Sequence, residues 1–190
     1  MTTTQSPIPN HHAHYPGFAG PAGLFAAASM ALGGAGNARL AAHLSELTAG
    51  DAVADIGCGP GTAARRAARA GASVVGIDPA QVMLRLARFL TRRSAHAVRY
   101  AEGSAEALPL PDSSVSVAWS IASVHHWADL DAGLREARRV LKPGRDSHGW
   151  TPEQASAFAD RCLAHGFTGA RMNRHGGGRR AKVSVTATAA

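Results

Sequence analysis

The chain has 190 residues, 45% of them hydrophobic, and a formal net charge of +7. That length suits a single domain with its own core, and no apolar run reaches the ~18 residues that mark a membrane span, the longest candidate being Leu24 to Leu32. With Cys58 and Cys162 as the two cysteines and no basic cluster ahead of Leu24, a disulfide framework and a secretory signal are not expected, so the reading is a cytoplasmic protein with no membrane partner.

Residues 1–16 are polar and carry His11, His12 and His14 among Pro7, Pro9 and Pro16. They read as a mobile arm. A metal site there lacks a fourth ligand, and none is expected. Residues 17–190 are read as one domain. The uncharged stretch 18–38 fits either a cap over a cleft or a helix packed on the sheet, and 39–47 reads as a helix with Leu40, Leu44 and Leu47 on one face.

From Ala52 the pattern sharpens. Val53, Ala54 and Ile56 form an apolar run that ends in Gly57, Gly59 and Gly61, followed at once by a helical stretch over 62–70. Alternating glycines allow positive φ and let a ligand lie against bare main chain. The helix start adds unpaired N–H groups beside them. A second apolar run over 74–78 ends in Asp78, 78 − 57 = 21 residues after the first glycine. An acid in that place can accept from both ribose hydroxyls of a nucleotide. Dinucleotide folds prefer a third glycine at position 62, where this chain has Thr62, which disfavours a nicotinamide-dependent oxidoreductase. Cys58 reads as a small residue in a crowded turn, since no base is placed to make it a nucleophile.

Further along, Pro79 suits a helix's first turn, and Val82, Leu86 and Leu90 place a buried face on a helix that ends near Arg93. Residues 98–102 and 114–121 read as strands, the second with Val115, Val117, Trp119 and Ile121 alternating. A helix over 129–140 turns Leu130, Leu134 and Ala137 inward. The run Thr151-Pro152-Glu153-Gln154 is a helix start, with Phe158, Cys162 and Leu163 as its apolar face. Residues 167–174 and 182–188 flank Gly176, Gly177 and Gly178 as a hairpin. Strands alternating with helices predict parallel βαβ units. Arginines recur at helical spacing, Arg65 with Arg69, Arg85 with Arg88 and Arg92, and Arg135 with Arg138 and Arg139. They read as solvated faces, and no nucleic-acid partner is expected.

Asp55-Ile56-Gly57-Cys58-Gly59-Pro60-Gly61-Thr62 resembles the first motif of the class I S-adenosylmethionine-dependent methyltransferases. The resemblance runs on through Val75-Gly76-Ile77-Asp78-Pro79, Ala105-Glu106-Ala107-Leu108-Pro109, His125-His126-Trp127 and Val140-Leu141-Lys142-Pro143-Gly144. It implies a Rossmann-like, doubly wound α/β sheet of mostly parallel strands with a terminal antiparallel hairpin, S-adenosylmethionine as cofactor, and a small-molecule methyl acceptor. The positions it assigns to the cofactor are Asp55, Gly57, Cys58, Gly59, Gly61, Asp78, Pro79, Ser104, Ala105, Glu106 and Ser120. His125 and His126 stand where an acceptor proton could be taken.

This chain departs from the family's pattern in three places. Ser104 replaces an aspartate that accepts from the adenine amino group, and Ser116 replaces one usual at the start of the fourth strand. After Gly144 no Val, Ile or Leu appears until Leu163, so the fifth strand reads as missing or short. That leaves the fourth strand as an edge, open to a homodimer contact, or paired with the hairpin. The alternative functional reading is a shortened, weak or inactive relative that binds the cofactor or its product, or acts by association.

Overall fold

The computed structural model describes residues 34–142, 152–175 and 182–189. The arm over 1–16, the histidines at 11, 12 and 14, most of the 18–38 stretch, the Thr151 cap and the hairpin glycines lie outside them. The first described helix, α1, spans Ala35–Leu44. Then β1 (Ala52–Ile56), α2 (Thr62–Arg69), β2 (Ser73–Asp78), α3 (Gln81–Thr91), β3 (Arg99–Glu102) and β4 (Val117–Trp119) follow in alternation. A 3-10 turn (Val124–His126) leads to α4 (Leu130–Val140), α5 (Pro152–Ala164) and the strands β5 (Phe167–His175) and β6 (Lys182–Ala189).

Four strands form one sheet in the order β3-β2-β1-β4, and all of its pairings are parallel. In β1, Val53 faces α1 and α2 together with Ala38, Ala64 and Trp119. The next residue, Ala54, faces α4, α5 and the hairpin together with Leu134, Cys162 and Val185. Helices therefore cover both faces, as a doubly wound sheet requires.

The fourth strand is shorter than its alternating pattern predicts. Val115 leaves the ladder: its N–H donates to the Val140 carbonyl, and its own carbonyl accepts the Lys142 N–H. Among the described residues it bridges Leu141 instead. Val117, Ala118 and Trp119 are all buried, so this is a strand covered on both faces rather than a half-exposed one.

In α3 the row Val82, Leu86, Leu90 is not the buried face. Met83, Leu84 and Ala87 are fully buried, while Leu90 is 40% exposed. At about 100° per residue Val82 and Leu86 fall to the side of the Met83, Leu84 and Ala87 face, and Leu90 lies in the last turn of the helix. In α5 likewise, Phe158 and Cys162 are buried but Leu163 is exposed. In α1, Ala38 and Ala41 face inward, and Leu40 and Leu44 are half-buried. Pro79 sits outside α3, whose N-cap is Ala80.

The hairpin forms as expected, β5 antiparallel to β6, but it makes a two-stranded sheet of its own. Among the described residues β4 pairs with β1 alone, so the expected alternative of a hairpin strand beside β4 is not formed. Instead Phe167, Val185, Ala187 and Ala189 pack as side chains into the core under α4 and α5. No strand lies between α4 and α5 among the described residues, and 143–150 are outside them.

Candidate cofactor and active site

At the carboxyl end of β1 the chain makes its tight turn, with Gly57, Gly59 and Gly61 at φ of 71°, 51° and 75°. Those left-handed angles explain the alternating glycines, since a Cβ there is strained. The turn is held from within. Gly57 and Cys58 N–H both donate to the Ile77 carbonyl, and Gly61 N–H donates to the Cys58 carbonyl. Asp78, at the end of β2, accepts the Gly59 N–H at 2.9 Å and the Ala80 N–H at 2.8 Å. The acid predicted to hold a ribose is thus also the brace between two loops, and each of its oxygens keeps lone pairs for another donor. Burial pushes its carboxyl above the usual range, against the pull of the Ala80 and Gly59 amides.

Asp55 and Ser120 lie at the carboxyl ends of the neighbouring strands β1 and β4. Sheet order reverses between these two strands, where open α/β sheets bind their ligands. Both residues are buried, and Asp55 Oδ2 and Ser120 Oγ have no hydrogen-bond partner among the described residues. Burial pushes the Asp55 carboxyl up to about 7, opposed by the Ala64 amide and reinforced by Asp78. A buried acceptor without a donor is costly. It fits a cationic or N–H-bearing ligand group, and the ammonium of S-adenosylmethionine is one.

Ser123 was not among the positions assigned to the cofactor. The chain leaves β4 through Ala122 at φ 53°, which swings buried Ser123 over the glycine turn. A Cβ on Gly57 would stand 1.8 Å from Ser123 Oγ. Tyr100 was missed altogether. It pairs across the sheet with Gly76, where a Cβ would meet its ring at 2.8 Å, and its hydroxyl lies 2.3 Å from where a Cβ on Gly61 would be. The signal available in the sequence was Gly76 itself, since glycine inside a strand marks a close approach. Tyr100 Oη also lies 3.0 Å from Thr91 Oγ1. Cys58 packs against Gly76, and burial pushes its thiol far up, so it is no nucleophile at neutral pH.

Ser104 forms a lone bridge to Ala107, Ala105 is buried in the core, and Pro79 is exposed. The Glu106 carboxylate accepts the Ala128 N–H at 2.7 Å and the Asp129 N–H at 3.2 Å, so it ties its loop to the start of α4. Ser116 Oγ donates to Asp51 Oδ1 at 2.8 Å and accepts the Ala52 N–H at 3.0 Å. It links β1 to the approach to β4 and is not part of the site. His125 and His126 lie on the exposed 3-10 turn, with ring centroids 4.0 Å apart and planes tilted by 42°. Among the described residues no group of three or more His, Cys, Asp or Glu side chains is placed to hold a metal.

The family model for the methyltransferase domain matches residues 54–145, which span the glycine turn, Asp78 and the β4 mouth. That segment is a class I S-adenosylmethionine-dependent methyltransferase domain. The demethylmenaquinone methyltransferase of Tropheryma whipplei is 36% identical over 107 residues, 56% of this chain and 44% of the relative. The 27-O-demethylrifamycin SV methyltransferase of Amycolatopsis mediterranei is 38% identical over 109 residues, 56% of this chain and 40% of the relative. The chain thus spans less than half the length of these two relatives. In fold the methyltransferase domain is similar to a SAM-dependent methyltransferase from Aquifex aeolicus, with TM-score 0.67 at 19% identity, over 81% of this chain and 90% of that one.

Proposed function

We propose that this chain binds S-adenosylmethionine and transfers its methyl group to a small-molecule acceptor. The observation that carries this reading is the unpartnered, buried Asp55 Oδ2 at the switch point of a methyltransferase domain. The bound cofactor supplies an electrophilic methyl on a sulfonium, which an acceptor oxygen, nitrogen or carbon can take.

The chain's own residues position and shelter. Asp55 and Ser120 meet the cofactor's ammonium, and Asp78 accepts the ribose hydroxyls while keeping Gly59 in place. Gly57, Cys58, Gly59 and Gly61 form the floor with Pro79 at its rim, and the 103–106 segment, through Ser104 and Ala105, borders the adenine. Aligning the acceptor and excluding water supply much of the rate in such transfers. His125 or His126 takes the acceptor's proton where the acceptor must lose one. The methyl acceptor is of small-molecule type, as the names of the relatives indicate for those proteins. Residues 17–190 act as one domain in this reading.

Calorimetric titration with S-adenosylmethionine, S-adenosylhomocysteine and NAD tests it. Binding of the first two and not of NAD is expected, and binding of NAD alone overturns it. A second reading, a domain that binds the cofactor but turns over weakly, draws on the β4 edge, which pairs with β1 alone among the described residues. Cofactor binding without methyl transfer to any acceptor supports that version.

A further inference from the structure

From Pro79 to Ala101 the sequence carries five arginines, Arg85, Arg88, Arg92, Arg93 and Arg99, and no acid. All five are exposed. Two described arginines elsewhere are neutralised by acids: Arg139 pairs with Asp112 and Glu136, and Arg161 with Asp131. On α3 and β3 the pattern is different. Arg88 donates to the Tyr100 carbonyl, Arg92 lies 4.0 Å over the Phe89 ring, and among the described residues none of the five forms an ion pair with an acid. Arg85, Arg88 and Arg92 recur at helical spacing, which makes them mutually repulsive neighbours. The helix dipole favours cations in the last turn of α3. It accounts for neither Arg85 nor Arg99.

Phe89 lies among these charges and Leu90 at their edge, 54% and 40% exposed. Arg85 and Phe89 share one face of α3, continued by the C-cap residue Arg92, opposite the buried Met83, Leu84 and Ala87. Folding does not call for large apolar side chains amid unneutralised cations on a solvent face. The combination meets one need: cations for a negatively charged surface and apolar side chains to enter it. A nucleic-acid strand is held in a groove on successive aromatic platforms. This surface is the convex side of a helix with one aromatic ring, and Leu90 offers nothing to stack on.

We propose that the exposed face of α3, with Arg93 and Arg99 beside it, docks the protein on an anionic lipid bilayer. No helix among the described residues is long and apolar enough to cross a membrane, and contact of this kind is peripheral and reversible. The inference is independent of the cofactor reading. Each arginine near a charged bilayer contributes a factor of about five in partition. Phe89 and Leu90 add an apolar component that salt does not screen.

The test is flotation of the full chain with vesicles of phosphatidylglycerol and phosphatidylcholine in equal parts, against phosphatidylcholine alone. The parent is expected to bind the first and not the second, and to be released as salt rises. Arg85→Gln with Arg92→Gln should lower the partition coefficient about 25-fold. Arg85→Lys with Arg92→Lys should retain binding, and Arg135→Gln on α4 should leave it unchanged. Phe89→Ser should weaken the binding that survives at high salt. Circular dichroism checks that each variant folds. Equal binding to both vesicles, parental binding by the Gln pair, or binding to a single-stranded oligonucleotide without vesicle binding overturns the proposal.

Discussion

Asp78 Oδ2 accepts the Gly59 N–H at 2.9 Å, so the acid that ends β2 closes the turn that ends β1. Asp78→Ala is expected to lose this brace and the ribose acceptors together. S-adenosylhomocysteine affinity should fall by on the order of 1.5–3 kcal/mol, the range for hydrogen bonds to a charged group. The melting temperature should fall as well. Asp78→Asn keeps one acceptor oxygen and should lie between parent and Ala in both measurements. Parental affinity in a folded Ala variant rules out the ribose role.

Asp55 makes stability depend on pH in a defined direction. Its carboxyl is raised from 3.8 to about 7 by burial, so between those values the folded state binds a proton that the unfolded state has released. Stability from this group is therefore full below pH ~4, falls as pH rises toward ~7, and is level above that. Asp55→Asn should flatten that slope in urea denaturation and stabilise the ligand-free protein at pH 8 by on the order of a few kcal/mol. The same variant should bind S-adenosylmethionine more weakly. Tighter binding argues against an ammonium partner.

Gly57→Ala places a Cβ 1.8 Å from Ser123 Oγ at a φ of 71°. The clash and the left-handed backbone both act, the second costing about 1–2 kcal/mol. Adding Ser123→Gly to Gly57→Ala should recover the part due to contact and leave the backbone part, measurable by chemical denaturation. Full recovery in the pair assigns the glycine to packing alone.

Ser116 joins Asp51 to the Ala52 amide. Ser116→Ala should destabilise by about 1–3 kcal/mol, the cost of leaving a buried polar group unmade. Ser116→Asp, which restores the residue usual in the family, sets a second carboxylate against Asp51. It should be less stable than Ser116→Ala at pH 7, because the two like charges repel at close range. A stabilised Asp variant at pH 7 contradicts this account.

Inserting a Val- and Ile-rich strand with its loop between Gly144 and Arg145 should raise the melting temperature and any methyl transfer, if β4 lacks a neighbour. No gain in either measurement indicates that the strand has its partner already.

The order strand, glycine turn, helix, strand, acid was legible because each of its signals is local. Apolar runs of strand length, glycines that tolerate positive φ and an acid at a strand end need only near neighbours to be read. The hairpin was legible for the same reason. The tertiary structure alone decided what those residues touch. Ser116 meets Asp51 across 65 positions of chain, and Arg139 reaches back to the Leu108 and Leu110 carbonyls to hold their loop. Tyr100 presses on Gly61 and Gly76 because parallel register sets β3 beside β2, which no periodicity encodes. The buried side of α3 and the early end of β4 followed the same logic. A helix row or an alternating strand states which residues share a face, and only the packed neighbours determine which face is covered.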